Sequence, residues 1–373
     1  MKKSECLWLM GGLLSMSVMA GGCGGASTAG ESGAPDTVKL AEGEIAVPYD
    51  VLQMPWLLST DGERLVVVNS QQAPNLVDVY SMAGDSLAGG IRVGQGPGEL
   101  PGIDGICYDA TISSMQLQTN DAGVVTLLGG FADGQFSLEK AFTFDAEKCG
   151  SDTVAPSSLA LRLADGRIVL GNATADGLLA ILRPDGSFEK YAASYPDISA
   201  YGDMPLWGAF NFLRPRGAIS PDGKHFAAVF GSNDMIGFGS LEGDSVSVKV
   251  NYGDKPGGVK WVTQNGYGTF EFTPDSKAYF GATPVLSDSH VYVIYHGMKR
   301  DDYYANYYWK KNDGDTPLTT TVREYDFDGR LCRIYVLPLK AGALAVTPDD
   351  STLYALADSE TEGYRIFRFP LPR

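Results

Sequence analysis

The chain is short of positive charge. Its 373 residues include 29 Lys and Arg against 45 Asp and Glu, a formal net charge of −16 at pH 7. Surfaces that neutralise nucleic-acid phosphates or dock on anionic lipid need clustered basic residues. The composition therefore argues against a nucleic-acid partner and against electrostatic membrane binding, and it favours a soluble acidic surface.

Histidine is also scarce. The three residues are His225, His290 and His296, and none has the spacing of a zinc site. His290 and His296 are six residues apart on a predicted strand, so they share a face but lie about 20 Å apart, too far to hold one metal ion. No Gly-x-Ser-x-Gly nucleophile motif is present. We expect neither a catalytic residue set nor a metal site.

Long apolar runs are missing beyond the first residues. The run from Leu7 to Ala20 follows two Lys residues and is shorter than the roughly 20 residues that span a bilayer. It leads into Ala20-Gly21-Gly22-Cys23, which resembles the lipobox of bacterial lipoproteins. The resemblance implies a signal peptide over residues 1–22, lipidation of Cys23 and membrane attachment through acyl chains only. The alternative is an ordinary cleaved signal with Cys23 as a spare thiol.

Residues 23–35 are rich in Gly, Ser and Ala and predict a flexible tether. No acidic cluster follows Cys23, so we expect an outer-membrane lipoprotein that faces the periplasm. Three further cysteines, Cys107, Cys149 and Cys332, have no informative spacing. We expect buried thiols, and a pairing of Cys107 with Cys149 stays open.

What the sequence does contain is a repeat of turns between short β-like runs, without a sustained helical stripe. One kind recurs six times, at Asp61, Asp109, Asp165, Asp222, Asp288 and Asp349. A second kind follows five of these turns, at Asp85, Asp133, Asp185, Asp244 and Asp328. Two hairpin turns per unit describe a blade of strands A to D, with turns A–B and C–D. The sequence therefore predicts an all-β, six-bladed β-propeller of four-stranded antiparallel blades, as a single domain over residues 36–373.

The sixth unit stops after its third strand, near Tyr364–Phe369, and lacks an outer strand. The segment from Val38 to Val47 precedes the first blade and has no other partner. Because an open sheet edge invites aggregation, we expect this segment to join the last blade and close the ring.

Three Pro-Asp turns resemble the signature of TolB-like propellers: Ser220-Pro221-Asp222-Gly223, Thr273-Pro274-Asp275-Ser276 and Thr347-Pro348-Asp349-Asp350. The stretch Gly94–Leu100 looks like the Gly-Pro-Gly-Glu loop of six-bladed, TolB-like lipoproteins of Bacteroides-type bacteria. This resemblance implies a fold and a secreted location but no settled activity. The loop itself is interpreted as a tight connection between blades one and two, or as backbone N–H groups that face an anion.

Two segments are candidate binding sites. An insertion over about Gly297–Thr319, between strands B and C of blade five, carries Tyr303, Tyr304, Tyr307, Tyr308 and Trp309. So long and aromatic a loop either contacts a glycan or protein partner or covers the propeller's own flank. The stretch before blade four carries Trp207, Arg214 and Arg216, which either hold a carboxylate or sugar at the ring mouth or cover the gap between blades.

The leading function hypothesis is a non-catalytic, cell-envelope propeller that binds a glycan or an envelope protein and needs no cofactor. The alternative is a calcium-dependent, lactonase-like hydrolase or lyase with its site at the axial mouth, for which calcium would be the cofactor. Three or more side-chain oxygens that converge on the axis would favour the enzyme.

Overall fold

The computed structural model describes residues 35–372, apart from 49, 120, 130–135, 174–175, 198, 200–202, 206–207, 210–211, 255–257, 265–266, 312–317 and 360–362. The signal segment, Cys23 and most of the tether lie outside the described residues. Within them the chain forms six antiparallel blades of four strands, arranged as a β-propeller. The predicted fold class is confirmed.

Each blade runs from an inner strand A to an outer strand D, and in blades one to four the strands are bonded in chain order. Blade one has β3 (Pro55–Thr60), β4 (Arg64–Asn69), β5 (Val77–Ser81) and β6 (Ser86–Gly90). Blade two has β9 (Ile103–Asp109), β10 (Ser114–Thr119), β11 (Val124–Gly129) and β12 (Ser137–Thr143). Blade three has β13 (Pro156–Arg162), β14 (Ile168–Asn172), β15 (Leu179–Leu182) and β16 (Phe188–Ala193). Blade four has β17 (Pro215–Ile219), β18 (His225–Phe230), β19 (Met235–Glu242) and β20 (Ser245–Tyr252).

The inner strand of blade five is broken into β23 (Lys277–Phe280) and β24 (Val285–Leu286), and both pair with β25 (His290–Lys299). β26 (Thr320–Asp326) and β27 (Leu331–Leu337) complete this blade. Blade six has β28 (Ala343–Val346), β29 (Thr352–Ser359) and β30 (Gly363–Pro370). A hairpin of β21 (Val259–Gln264) and β22 (Tyr267–Phe272) separates blades four and five in the chain.

The ring closes through the N-terminal segment, as predicted. β2 (Glu44–Val47) pairs antiparallel with β30 and supplies the missing outer strand of blade six. The Arg368 guanidinium reinforces the closure, because its Nε donates to Glu44 Oε2 at 2.7 Å. The preceding piece differs from the expectation: β1 (Asp36–Lys39) pairs parallel with β27 and becomes a fifth strand of blade five.

The repeated Asp residues form the A–B turns by local hydrogen bonding. In five of the six turns the carboxylate accepts from the backbone N–H two residues later. In blade five the Ser287 hydroxyl takes over, and it accepts from the N–H groups of Ser289 and His290. Short side-chain acceptors of this kind compete for backbone N–H groups and set turns. Thr273-Pro274 is the exception among the Pro-Asp motifs, because it joins β22 to β23 and is not an A–B turn.

Strands in the middle of a blade are buried on both faces, since neighbouring blades pack against each side. Leu65, Val66, Val67 and Val68 of β4 are all 0% exposed, although they point alternately to opposite faces. Apolar side chains from the inner strands also fill the middle of the axis. The spaces left there, around Ile106, Val285 and Ala345, measure only about 10–20 Å³.

The Gly-Pro-Gly-Glu loop is a tight connection between blades one and two. Its ends, β7 (Arg92–Val93) and β8 (Glu99–Leu100), pair in parallel. The Gly96 N–H donates to Glu99 Oε2 at 3.0 Å, so the backbone donor meets a carboxylate of the loop itself. A side chain at Gly94 would overlap that carboxylate, so the Glu99 side chain would have to move.

Two short helices interrupt the β structure. α1 (Ala146–Cys149) follows blade two and is capped by Asp145, whose Oδ1 accepts from Glu147 N at 3.0 Å. The insertion in blade five folds as α2 (Arg300–Tyr303), which continues into a π-helical turn over Tyr304–Tyr308. The sequence predicted a loop here. Cys107, Cys149 and Cys332 are all free thiols, so Cys107 and Cys149 do not pair in this structure.

Candidate functional site

A cleft of about 450 Å³ opens at one end of the axis. The residues around it belong to the end of the propeller where the inner A strands begin and the B strands finish. Trp56 comes from blade one, Asp104 and Gln118 from blade two, Arg216 from blade four and Phe280 from blade five. Below this cleft the axis is filled by apolar side chains, so the site is a closed-ended mouth.

The two segments that the sequence treats as separate candidates meet at this cleft. Arg214 and Arg216 reach it from the connection before blade four, while Tyr303 and Tyr304 reach it from the insertion in blade five. A D–A connection and a B–C connection lie at the same end of a propeller, which is the physical reason for the convergence. Trp207, the other residue of the first segment, lies outside the described residues.

The charge of the cleft is opposite to that of the protein. Among the described residues that line it, four are cationic and one is a carboxylate: Arg214, Arg216, Lys277 and Arg300 against Asp104. Arg214 Nη2 lies 3.4 Å from Asp104 Oδ2. Lys277 forms an ion pair with Asp254. The other two cations of the cleft are Arg216 and Arg300.

Arg216 has no carboxylate partner in the part of the chain that the structure describes. Its Nη2 donates to the backbone carbonyl of Phe280 at 3.1 Å, across the gap between blades four and five. Burial lowers the pKa of the Arg216 guanidinium. Since an arginine stays protonated at any physiological pH, Arg216 presents an uncompensated, half-buried positive charge to the cleft.

Arg300 likewise lacks a carboxylate partner within the described ranges. Its guanidinium carbon lies 3.7 Å from the centre of the Phe272 ring and 4.9 Å from that of Tyr304. These cation–π contacts hold the side chain at the rim of the cleft. Its backbone N–H donates to Ser276 O at 2.8 Å, which fixes the start of α2 against the residue that precedes β23.

His296 lies in the cleft, a position that the sequence did not single out. Its ring packs 4.7 Å from the ring of Tyr303 and 4.9 Å from that of Tyr307. Burial lowers the pKa of His296 to about 4, and the charges of Lys340 and Arg216 act in the same direction. The imidazole is therefore neutral at pH 7 and offers a hydrogen-bond donor and an acceptor without adding charge.

The five aromatic residues of the insertion have different environments. Tyr303 and Tyr304 line the cleft. Tyr307 is buried, and its hydroxyl lies 2.9 Å from Thr320 Oγ1. Tyr308 and Trp309 are 46% and 73% exposed. The two interpretations of the insertion thus apply to different residues: Tyr307 fastens it to the propeller, and its neighbours face the cleft or solvent.

The residues of the connection before blade four also have different environments. Phe212 is buried, 5.2 Å from the ring of Phe270 in the β21–β22 hairpin, so this part covers the space between blades. Phe212 is also part of the cleft wall, where Arg214 and Arg216 supply the charge.

The opposite end of the axis carries a cluster of turn carboxylates. The A–B turns contact one another there: Ala110 N donates to Pro221 O and Asp288 N donates to Pro348 O, both at 2.8 Å. Burial raises the pKa of Asp288, and the nearby carboxylates of Asp222, Asp350 and Asp349 add to that shift. Asp222, Asp288, Asp349 and Asp350 thus form a carboxylate cluster at this end. The other three turn carboxylates, Asp61, Asp109 and Asp165, form ion pairs with Arg64, Arg162 and Arg167.

His290 lies at this acidic end, although it shares β25 with His296. Its Nδ1 is 3.0 Å from Asp350 Oδ2, and that hydrogen bond raises the pKa of His290. The two histidines are therefore at opposite ends of one strand, as their spacing predicts. In the described part of the chain, no group of three or more His, Cys, Asp or Glu side chains is close enough to hold a metal ion.

The fold and the cleft define the class: a six-bladed β-propeller with a cationic axial mouth. No protein-family model matches the chain, and no curated protein is similar to it in sequence. None of the helices in the described ranges has the length and apolar content needed to cross a bilayer.

Several solved structures are similar in fold at low identity. A protein described as exported, from Bacteroides fragilis, is 12% identical with a TM-score of 0.48 over 90% of this chain and 99% of that one. Regucalcin, a calcium-binding protein from Agrobacterium tumefaciens, is 14% identical with a TM-score of 0.42 over 90% and 97%. A gluconolactonase from Xanthomonas campestris is 14% identical with a TM-score of 0.39 over 88% of each chain. At such values none of them bears on the ligand of this chain.

Proposed function

We propose that the chain is a cell-envelope propeller that binds an organic anion, a carboxylate above all, in the cleft at the end of its axis. One observation carries the proposal. Arg216 and Arg300 both line the cleft, and neither has a carboxylate partner among the described residues.

A half-buried guanidinium without a counter-charge is unfavourable for folding, because it loses hydration and gains no ion pair. A bound carboxylate would supply the missing charge, and arginine can meet it with two parallel N–H donors. The rest of the protein is strongly acidic, with a net charge of −16, so the positive cleft is a local feature. The carboxylate cluster around Asp288 at the other end of the axis would repel an anion, so the cleft is its favoured site.

The walls of the cleft fit an organic ligand better than a bare inorganic ion. Phe212, Tyr279, Phe280 and Tyr303 line it with ring surfaces. A ligand that carries carbon as well as charge would bury apolar area against these rings while its carboxylate meets the guanidinium groups. The neutral His296 imidazole and the Gln118 amide are further hydrogen-bonding groups for ligand hydroxyls.

The cellular location is proposed from the first 35 residues. We expect cleavage before Cys23, lipidation of Cys23 and a tether over residues 23–35, as in TolB-like lipoproteins of Bacteroides-type bacteria. Replacement of Cys23 by Ser should release the protein from the outer-membrane fraction into the soluble periplasm. Retention of Cys23→Ser in the membrane fraction would contradict the anchor.

Isothermal titration with D-galacturonate, with D-galactose as its uncharged counterpart, tests the binding proposal. Binding of the acid but not of the neutral sugar is expected. Arg216→Gln and Arg300→Gln should each weaken binding by about ten- to a hundredfold, the size of a charge-assisted hydrogen bond. Citrate and benzoate extend the test to other carboxylates.

Arg330→Gln is the matched control. Arg330 is an exposed arginine in the C–D turn of blade five, paired with Asp326 at the end of the propeller opposite the cleft. This variant should bind as the unaltered protein does. If no carboxylate binds in a manner that depends on Arg216, the proposed function is wrong.

The hydrolase alternative stays a prediction with its own test. A calcium-dependent enzyme would bind calcium in the cleft with an affinity that the loss of the Asp104 carboxylate reduces. Calcium titration of the protein and of Asp104→Asn, followed by a lactone-hydrolysis assay, decides it: calcium-dependent turnover would replace the binding proposal.

A further inference from the structure

Four aromatic rings lead out of the cleft along the insertion. Their consecutive ring-centre distances are 5.3 Å from Tyr303 to Tyr304, 5.2 Å from Tyr304 to Tyr308 and 4.7 Å from Tyr308 to Trp309. The first two rings line the cleft, whereas the last two are among the most exposed large hydrophobic side chains of the described chain. We call these four residues the ring path. It continues the cleft onto the outer surface.

The ring path is held in place by the propeller. The Tyr307 hydroxyl contacts Thr320 Oγ1 inside the protein, and Lys340 Nζ donates to the backbone carbonyls of Tyr308 at 2.7 Å and Lys310 at 2.5 Å. These bonds satisfy carbonyl groups at the end of the helical segment and tie it to the start of blade six. The rings are therefore positioned before any ligand arrives, which lowers the entropic cost of binding.

Adjacent exposed aromatic rings favour a binding partner, because contiguous apolar patches often mark interaction sites. Charged residues beside the ring path indicate the chemistry of that partner. Between residues 299 and 311, Lys299, Arg300, Lys310 and Lys311 outnumber Asp301 and Asp302. The ring path therefore has a positive surrounding, as the cleft does. A single acidic ligand that contacts both is favoured over two unrelated ligands.

We infer that the cleft is the end subsite of a longer groove for an acidic oligosaccharide, whose terminal carboxylate lies between Arg216 and Arg300 and whose following sugar rings stack on Tyr304, Tyr308 and Trp309. This inference rests on the proposed function. The C–H face of a sugar ring is apolar and matches an aromatic face, while its hydroxyls match the polar tips of Tyr and Trp.

A protein partner fits less well. Tyr and Trp side chains have about 150–250 Å² to bury, and Tyr308 and Trp309 are already partly buried, so the two rings supply less than half of the ~800 Å² per side of a standard protein interface. The ring path is also narrow, a single file of side chains, which suits a linear chain of sugars.

The test compares ligands of different length on the same protein. D-galacturonate, tetragalacturonate and the neutral maltotetraose are titrated into the full chain and into Trp309→Ala and Tyr308→Ala. We expect the tetramer to bind at least tenfold more tightly than the monomer, and Trp309→Ala to remove about tenfold of affinity for the tetramer only. Maltotetraose should bind weakly, because it lacks the carboxylate.

Tyr252→Ala is the matched control, since Tyr252 is 56% exposed on the outer strand of blade four. Tyr252→Ala should change neither the affinity for D-galacturonate nor the affinity for tetragalacturonate. Melting temperatures of all variants verify that they are folded.

The outcomes separate the two proposals. If the monomer binds but the tetramer gains nothing, or if Trp309→Ala leaves the tetramer's affinity unchanged, the groove is wrong and the cleft proposal stands; the exposed rings would then be assigned to a protein contact. If citrate binds through Arg216 while neither galacturonate ligand does, the oligosaccharide inference is wrong and the anion site remains. If no carboxylate binds, both are wrong.

Discussion

Arg216 and Phe280 join two blades at the cleft: the guanidinium Nη2 of the first donates to the backbone carbonyl of the second at 3.1 Å. The bond exists because the inner strand of blade five is broken after Phe280, which leaves that carbonyl to face blade four. One donor of the guanidinium is thus held by the backbone, and the residue lines the cleft. Fixing a charged side chain in this way prepares it for a ligand.

A substitution at Arg216 should affect ligand binding much more than stability. Replacement by Met removes a half-buried charge that has no carboxylate partner and keeps most of the apolar stem. We expect the free energy of unfolding to change by no more than about 1 kcal/mol, because the lost hydrogen bond and the relieved desolvation oppose each other. Carboxylate binding should weaken by about ten- to a hundredfold, as for Arg216→Gln. Denaturant unfolding and isothermal titration measure the two effects, and a loss of more than about 3 kcal/mol would show a structural role instead.

His296 should make the protein sensitive to acid. Its pKa is lowered to about 4 in the folded protein, below the ~6.5 of an unfolded chain. The unfolded state therefore binds the proton more readily between these values, and this contribution to stability is complete above pH 6.5 and lost as the pH falls towards 4. His296→Gln should flatten the stability–pH curve in that window, as measured by urea unfolding at several pH values.

His290 acts with the opposite sign. Its hydrogen bond to Asp350 raises the pKa of the folded form, so it stabilises fully below the unfolded pKa and stops doing so as the pH rises through the folded pKa. His290→Gln should lower stability at pH 5.5 more than at pH 8.

For His296, a stability–pH curve of His296→Gln that is as steep as that of the unaltered protein would contradict the assignment of this residue to a buried, neutral state.

Adjacent tyrosines of the insertion should respond differently to loss of a hydroxyl. Tyr307→Phe removes the buried contact with Thr320 and should cost about 1 kcal/mol of stability. Tyr308→Phe removes an exposed hydroxyl and should cost within about 0.5 kcal/mol. Thermal unfolding of the two variants measures this contrast. Equal losses would show that the insertion is not fastened through Tyr307.

The loop between blades one and two should tolerate change at one glycine and not at another. Gly94→Ala would push a methyl group into the Glu99 carboxylate and should cost about 1–3 kcal/mol. Gly98 has a φ of +77° and open space around it, and asparagine tolerates that backbone conformation. Gly98→Asn should therefore stay within about 1 kcal/mol in the same chemical-denaturation experiment. Similar losses at both positions would contradict the close packing on Glu99.

The propeller was predictable from the sequence because the turns between its strands are formed by local hydrogen bonds. Asp61 and Asp349 make their turns with N–H groups two residues away, so the signal lies within a few consecutive residues. The closing strand at Glu44–Val47 followed from counting strands. The pairing of Asp36–Lys39 with blade five did not, because a four-residue edge strand has no pattern that distinguishes one partner from another.

The cleft was only partly predictable. Arg214, Arg216, Tyr303 and Tyr304 were singled out, but as members of separate segments. The blade topology alone would have joined them, since D–A and B–C connections share one end of a propeller. The helical fold of the insertion also had a signal that was missed: Tyr303 and Tyr307, like Tyr304 and Tyr308, are four residues apart. Single residues such as Asp104 and His296 enter the cleft through long-range packing, which no local pattern reveals.

A crystal structure of the protein with the carboxylate probe that binds most tightly tests the central claim most directly. The account predicts the carboxylate oxygens within hydrogen-bonding distance, about 3 Å, of the guanidinium groups of Arg216 and Arg300. A carboxylate bound at any other place, with the cleft free of it, would contradict the account.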